Sequence, residues 1–249
     1  MRHDPARPLT SGIPIGRRTW LQAAVTPLLI ARATAWAQLA THDVPTVAVL
    51  QGVRTAAEDW QGRHALAVEL TEEEQARILA RGGGNGPNYA VLDTDFTDGV
   101  IEADVAGQIN GKGAPDVRAF VGVAFHLSAD LRTYEAVYLR MSNGTLNDPP
   151  PPSPRDVRAI QYVAHPDFHY FVSREKFPGR YEKPAPIALD RWHRLRLEIE
   201  GRRLRALVNG GEVLVVNDLR YAGRTGRVGL WVDDGTRGHF ADVRITPNA

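Results

Sequence analysis

Over 99–107 the chain reads GVIEADVAG, with Ile101, Ala103 and Val105 apolar and Glu102 and Asp104 charged between them. Side chains leave alternate faces of a strand, so this period of two predicts a half-buried strand. The same rhythm returns in HALAVEL (64–70), YAVLDTDF (89–96), RWHRLRLEIEG (191–201), RRLRALVNGGEVLVVND (202–218), GRVGLWVDDG (226–235) and HFADVRITP (239–247). RAFVGVAFHL (118–127) is almost continuously apolar, which predicts a strand at the centre of a sheet. Turns fall at Gly201, at Asn209-Gly210-Gly211 and at Gly235, residues that tolerate the backbone a tight turn needs. TEEEQARIL (71–79) opens with a capping box, Thr71 and Glu74, and predicts one short surface helix. NDPPPPSPRD (147–156) cannot join a ladder and reads as a stiff loop. VRAIQYVA (157–164) resumes strand, and 165–186 reads as a long irregular or edge segment. Evenly spaced strands with no long helical period predict an all-β, two-sheet antiparallel sandwich or jelly roll in a single domain.

TYEAVYLRMSNG (133–144) departs from the simple pattern. Val137, Leu139 and Met141 point one way; Tyr134, Ala136, Tyr138 and Arg140 point the other. Two tyrosines and an arginine are bulkier than a merely solvated face requires, so that face is a candidate binding surface.

The 249 residues are 43% hydrophobic and 24% charged, enough apolar material for a sizeable core. There is no cysteine, which excludes disulfides, thiolate metal sites and a cysteine nucleophile. The first 37 residues follow other rules. Arg17 and Arg18 precede Thr19-Trp20-Leu21, the short apolar run LQAAVTPLLIA is interrupted by Pro27, and Ala35 and Ala37 flank Trp36. This pattern resembles a twin-arginine export signal, with Trp20 where the motif usually has Phe, and implies a periplasmic or extracellular protein beginning near 38. Removal of 1–37 would take five bases (Arg2, Arg7, Arg17, Arg18, Arg32) and one acid (Asp4), leaving 25 bases against 28 acids. The basic balance then disappears and with it the case for nucleic-acid binding. No remaining run approaches membrane length, so 38–249 is expected to have no membrane span.

Several segments together carry a family resemblance. They are DFTDGVIEADV, FVGVAFHL, Trp192 in DRWHRLRLEIEG, ALVNGGEVLVVND and GRVGLWVDDGTRGHFADVRI. They resemble the concanavalin A-like lectin/glucanase superfamily, in particular its laminin-G-like and 3-keto-disaccharide-hydrolase-like branches, over most of 60–246. The resemblance implies a jelly roll with one concave sheet and a buried packing role for Trp192. It also implies that 119–126, 133–140 and 226–233 contribute to that sheet, with His126, Tyr138, Arg140, Trp231 and Asp233 facing a trough. Gln161 is a candidate from the next strand, where only one of Gln161 and Tyr162 can face the same way. Asn143 is a candidate rim residue, and its N-G-T sequon reads as a turn. Tyrosine and tryptophan rings with Arg and Asp beside them suit a carbohydrate, whose C–H faces pack on rings while its hydroxyls take the polar groups. The plainer reading makes Tyr138 and Trp231 a second, smaller core beneath the proline loop.

Catalysis has weaker footing. Glu102 and Asp104 resemble part of the E-x-D-x-x-E pattern of laminarinase-type glucanases, but Gly107 stands where the second Glu belongs, and glycoside hydrolysis needs two carboxyls. Glu135 lies beside the trough in sequence but on the core-facing register, with an edge position as one reading and its role open. His165, Asp167 and His169 alternate in HPDFH as metal ligands can, but Pro166 favours a loop. GGGNGP (82–87) lacks the Lys-Ser/Thr of a phosphate loop, so Gly82 to Gly86 read as flexible turn residues. No metal or other cofactor is implied. Three functions stay open: a glycoside hydrolase, a lectin-like binding module, and a surface for a protein partner.

Overall fold

The period-two segments fold into the strands of two antiparallel sheets. The computed structural model describes residues 46–84 and 86–248; the export signal read over 1–37 lies outside the described residues. In chain order the first elements are β1 (Val47–Gln51), β2 (Val53–Trp60), β3 (Arg63–Leu70), α1 (Glu72–Ala80), β4 (Tyr89–Phe96), β5 (Gly99–Ile109), β6 (Phe120–Leu127) and β7 (Tyr134–Arg140). Then come β8 (Ile160–His165), α2 (Tyr170–Lys176), β9 (Glu182–Lys183), β10 (His193–Glu200), β11 (Arg203–Val208), β12 (Gly211–Val216), β13 (Gly226–Val232) and β14 (Thr236–Pro247). The first sheet has the order β1-β4-β13-β6-β7-β8-β9 and the second β12-β11-β10-β5-β14-β3-β2. Successive strands change sheet at β1–β2, at β3–β4–β5–β6, at β9–β10 and at β12–β13–β14, the winding of a jelly-roll sandwich.

The main core lies between the sheets. Ile101, Ala103 and Val105 of β5 and Leu195, Leu197 and Ile199 of β10 meet Val121, Val123, Val137 and Leu139 of the first sheet. β6 takes the central place that its apolar run predicted. The β11–β12 turn holds Asn209 at φ 52° and Gly210 at φ 86°, and the β2–β3 turn holds Gln61 at φ 45° and Gly62 at φ 75°. Two consecutive positive φ values match the twist of a tight hairpin. The Thr71 side chain caps α1 by accepting from the Glu74 backbone N–H at 3.1 Å.

Three expectations need correction. First, His126 does not share the outer face with Tyr138. Its φ is +52°, and the β6–β13 pairing shifts register there, from Arg227↔Leu127 to Gly229↔Ala124. This bulge reverses the parity of the strand end, as an unpaired extra residue does. Leu127 joins the outer face. His126 turns inward, fully buried, to bond Glu135 and the Thr97 carbonyl oxygen, each at 2.7 Å. Second, Trp192 is only partly buried and lies against Trp60, with ring centroids 5.1 Å apart, and 6.3 Å from His239. It precedes β10, and the neighbouring His193 is the buried residue. Third, the 165–186 segment, read as irregular or edge, does supply the sheet edge in β9 but also contains the helix α2. No described helix is long and apolar enough to cross a membrane.

Candidate ligand-binding site

The outer face of the first sheet carries a second apolar cluster. Tyr89, Ala124, Tyr134, Ala136, Tyr138, Val163 and Trp231 pack together there, on the side away from the main core. Alternation therefore assigns the face correctly in β7, but the face is covered: Tyr138 is 2% and Trp231 1% exposed. The cover is the glycine loop after α1. Tyr134 Oη and Trp231 Nε1 both donate to the Gly86 carbonyl oxygen, at 2.9 and 3.2 Å. A Cβ on Gly84 would overlap the Asp233 carboxylate. The loop is thus pinned to the sheet at Gly84 and Gly86, a correction to its reading as flexible turn residues at those two positions, while Gly82 and Gly83 stand in open space.

Where the cover ends, a cavity of about 370 Å³ opens. Phe120 and Tyr138 form its aromatic floor, with ring centroids 5.8 Å apart, and Trp231 backs Tyr138 at 4.8 Å without reaching the cavity. Asp233 and Asp234 enter from the β13–β14 turn, Asp116 and Arg118 from the β5–β6 loop, and Tyr170 and Arg174 from α2. Arg140 closes the floor at the end of β7. Of the seven residues expected at a ligand, Tyr138, Arg140 and Asp233 line the cavity.

The others are placed differently. Gln161, fully buried on β8, accepts from Arg140 Nη2 at 3.1 Å and donates to the Tyr162 and Tyr181 carbonyls, so it orients the guanidinium from beneath. Tyr162 faces the main core, which settles which of the pair shares the outer face. Asn143 is 2% exposed and ties loops together through the Arg158 carbonyl and Arg155 Nε. His126 is interior, as above. Sequence reasoning missed Phe120, whose position at the start of β6 gave the parity signal, and Asp234, adjacent to Asp233. Arg118, Tyr170 and Arg174 come from loop and helix, where no strand parity marks them.

Electrostatics sort these groups. Burial raises the Tyr138 phenol above its ordinary value, opposed by Arg140 and reinforced by Asp233, so it acts as a neutral hydroxyl. Arg140, 3% exposed, donates to the Arg158 carbonyl at 3.0 Å and to Tyr138 Oη at 3.1 Å. Asp234 is engaged by Gln75 Nε2 at 2.6 Å and by the Ala114 N–H at 3.3 Å. Glu135 sits in the main core, bonded to Tyr162 Oη at 2.5 Å and to the Arg220 N–H at 2.7 Å, so it is neither an edge nor a cavity residue.

Glu102 and Asp104 lie on the outer face of the other sheet. Glu102 pairs with Arg196 at 3.0 Å and Asp104 with Arg194 at 3.3 Å. His165 and His169 bond each other at 2.9 Å, and no group of three or more potential metal ligands occurs among the described residues. Burial and the His165 neighbour bring His169 down to about 4, so it is neutral near pH 7.

No family model matches the sequence. No curated protein matches it either. Solved structures share the sandwich. The carbohydrate-binding module CBM66 from Bacillus subtilis is 14% identical, covering 80% of this chain and 98% of its own, with a TM-score of 0.49. A B. subtilis protein of unknown function with a galectin-like fold is 13% identical, covering 77% and 86%, with a TM-score of 0.43. A prokaryotic β-1,3-1,4-glucanase (lichenase) from a mouse hindgut metagenome is 11% identical, covering 61% and 67%, with a TM-score of 0.39. Likeness at this level concerns the fold alone.

Proposed function

We propose that the protein binds a saccharide in the cavity above Phe120 and Tyr138. One observation carries the reading: an aromatic floor and charged hydrogen-bonding walls converge on a single cavity of about 370 Å³. That volume falls at the small end of the roughly 300–1,000 Å³ of ligand clefts. A pyranose ring offers apolar C–H faces and a belt of hydroxyls. Phe120 and Tyr138 suit the first, and Asp233 with Arg140 suits the second.

Binding without turnover is favoured over glycoside hydrolysis by the state of the carboxylates. Asp234 is engaged by Gln75 and the Ala114 N–H and Asp116 by Arg118, so two of the three lining carboxylates are held by protein partners. Titration of the protein with a panel of neutral and acidic oligosaccharides tests the proposal. At least one should bind saturably at one site and remain uncleaved. Phe120→Ala should weaken that binding by about tenfold, the equivalent of about 1.4 kcal/mol. Binding by no member of the panel, or binding untouched by Phe120→Ala, would count against it.

A further inference from the structure

Three guanidiniums, Arg118, Arg140 and Arg174, line the cavity beside the carboxylates of Asp116, Asp233 and Asp234. Glu182 stands within 3.6 Å of Arg140, 3.3 Å of Arg158 and 2.7 Å of Arg174, so one carboxylate serves three guanidiniums. Arg174 spends Nε and Nη2 on that carboxylate and rests 4.8 Å from the Tyr170 ring centroid. Arg118 faces the same space. It pairs with Asp116 at 3.2 Å, and the Asp116 side chain is 78% exposed, where water screens the attraction. Arg118 Nε is buried with no hydrogen-bond partner. The cations also sense one another: Arg140 is lowered from its ordinary value by burial first and then by Arg174 and Arg118.

Asp233 and Asp234 line the same cavity. The cavity therefore offers guanidinium donors and carboxylate acceptors together. A neutral sugar can use the carboxylates through its hydroxyls but leaves the buried Arg118 Nε without an acceptor, which is costly. A carboxylate on the ring answers it, because a guanidinium offers two parallel N–H groups to its two oxygens.

Resting on the saccharide reading, we propose that the cavity selects a uronate, its carboxylate seated among Arg118, Arg140 and Arg174 and its hydroxyls turned to Asp233. Oligomers of galacturonate, glucuronate and mannuronate, each beside its methyl ester, provide the test. The ester keeps the ring and removes the charge. At least one free acid should bind about tenfold or more tightly than its ester, as expected for a charge-assisted bond, and lose that advantage in high salt. Arg118→Gln, and independently Arg174→Gln, should bring acid and ester together in affinity, with circular dichroism reporting that each variant is folded. Equal binding of acid and ester by the unaltered protein would overturn the uronate assignment and leave the saccharide reading standing. Binding of neither acids, esters nor neutral oligosaccharides would overturn both.

Discussion

Arg140 shows how one side chain can be both a wall of the site and part of the scaffold. Its guanidinium satisfies the Arg158 carbonyl, Tyr138 Oη and Gln161 Oε1, all in a place where water has little access. Lysine would carry the same charge but cannot hold three acceptors in one plane. Arg140→Lys should therefore destabilise the protein by about 1–3 kcal/mol, the cost of leaving buried acceptors unmet. Urea unfolding would measure it, and a loss below about 0.5 kcal/mol would show that the network is not structural. Parity along TYEAVYLR placed Tyr138 and Arg140 on the outer face because that inference needs only alternation. Burial was not legible, since it depends on a loop some 50 residues earlier whose glycines reveal nothing of their destination. His126 was misread for a related reason: one bulge residue reverses parity, and HL at a strand end gives no sign of it.

At the level of elements, hairpins were the most readable feature. Asn209-Gly210 supplies its own backbone preference, and the flanking strands β11 and β12 supply the alternation. α2 was unreadable because its seven residues, YFVSREK, are too few to establish a helical period, and prolines stand near both ends. That omission hid Tyr170 and Arg174. The two tryptophans provide a contrast between elements. Trp231 is enclosed in the second cluster and holds the glycine loop by its indole N–H, whereas Trp192 lies partly exposed against Trp60 before β10. Trp231→Ala should cost about 3–5 kcal/mol through the cavity it leaves. Trp192→Ala should cost less than Trp231→Ala, because the partly exposed ring gives up about 0.5–1.5 kcal/mol of aromatic pairing and only part of the packing of an enclosed one. Equal losses in thermal or urea unfolding would contradict this placement of the two rings.

Across the whole molecule, the two outer faces have been given different tasks. The second sheet's outer face is laced with ion pairs, among them Arg205 with Glu198 and Glu212, and Arg196 with Glu102. Partly exposed pairs of this kind contribute little to stability and chiefly keep a sheet face solvated. The first sheet's outer face is roofed, apolar beneath, and opens where Phe120, Tyr138 and Arg140 meet the loops. The sandwich was legible because period two recurs in strand after strand; the division of labour between its faces was not, because it is set by loops. The central claim is that a saccharide occupies this opening. A crystal of the protein soaked with an oligosaccharide that binds in the titration tests it most directly. Sugar density over the Phe120 and Tyr138 rings, within hydrogen-bond reach of Asp233 and Arg140, is the predicted result. Ordered sugar on the Trp60–Trp192 face of the second sheet, with none over Phe120 and Tyr138, would contradict it.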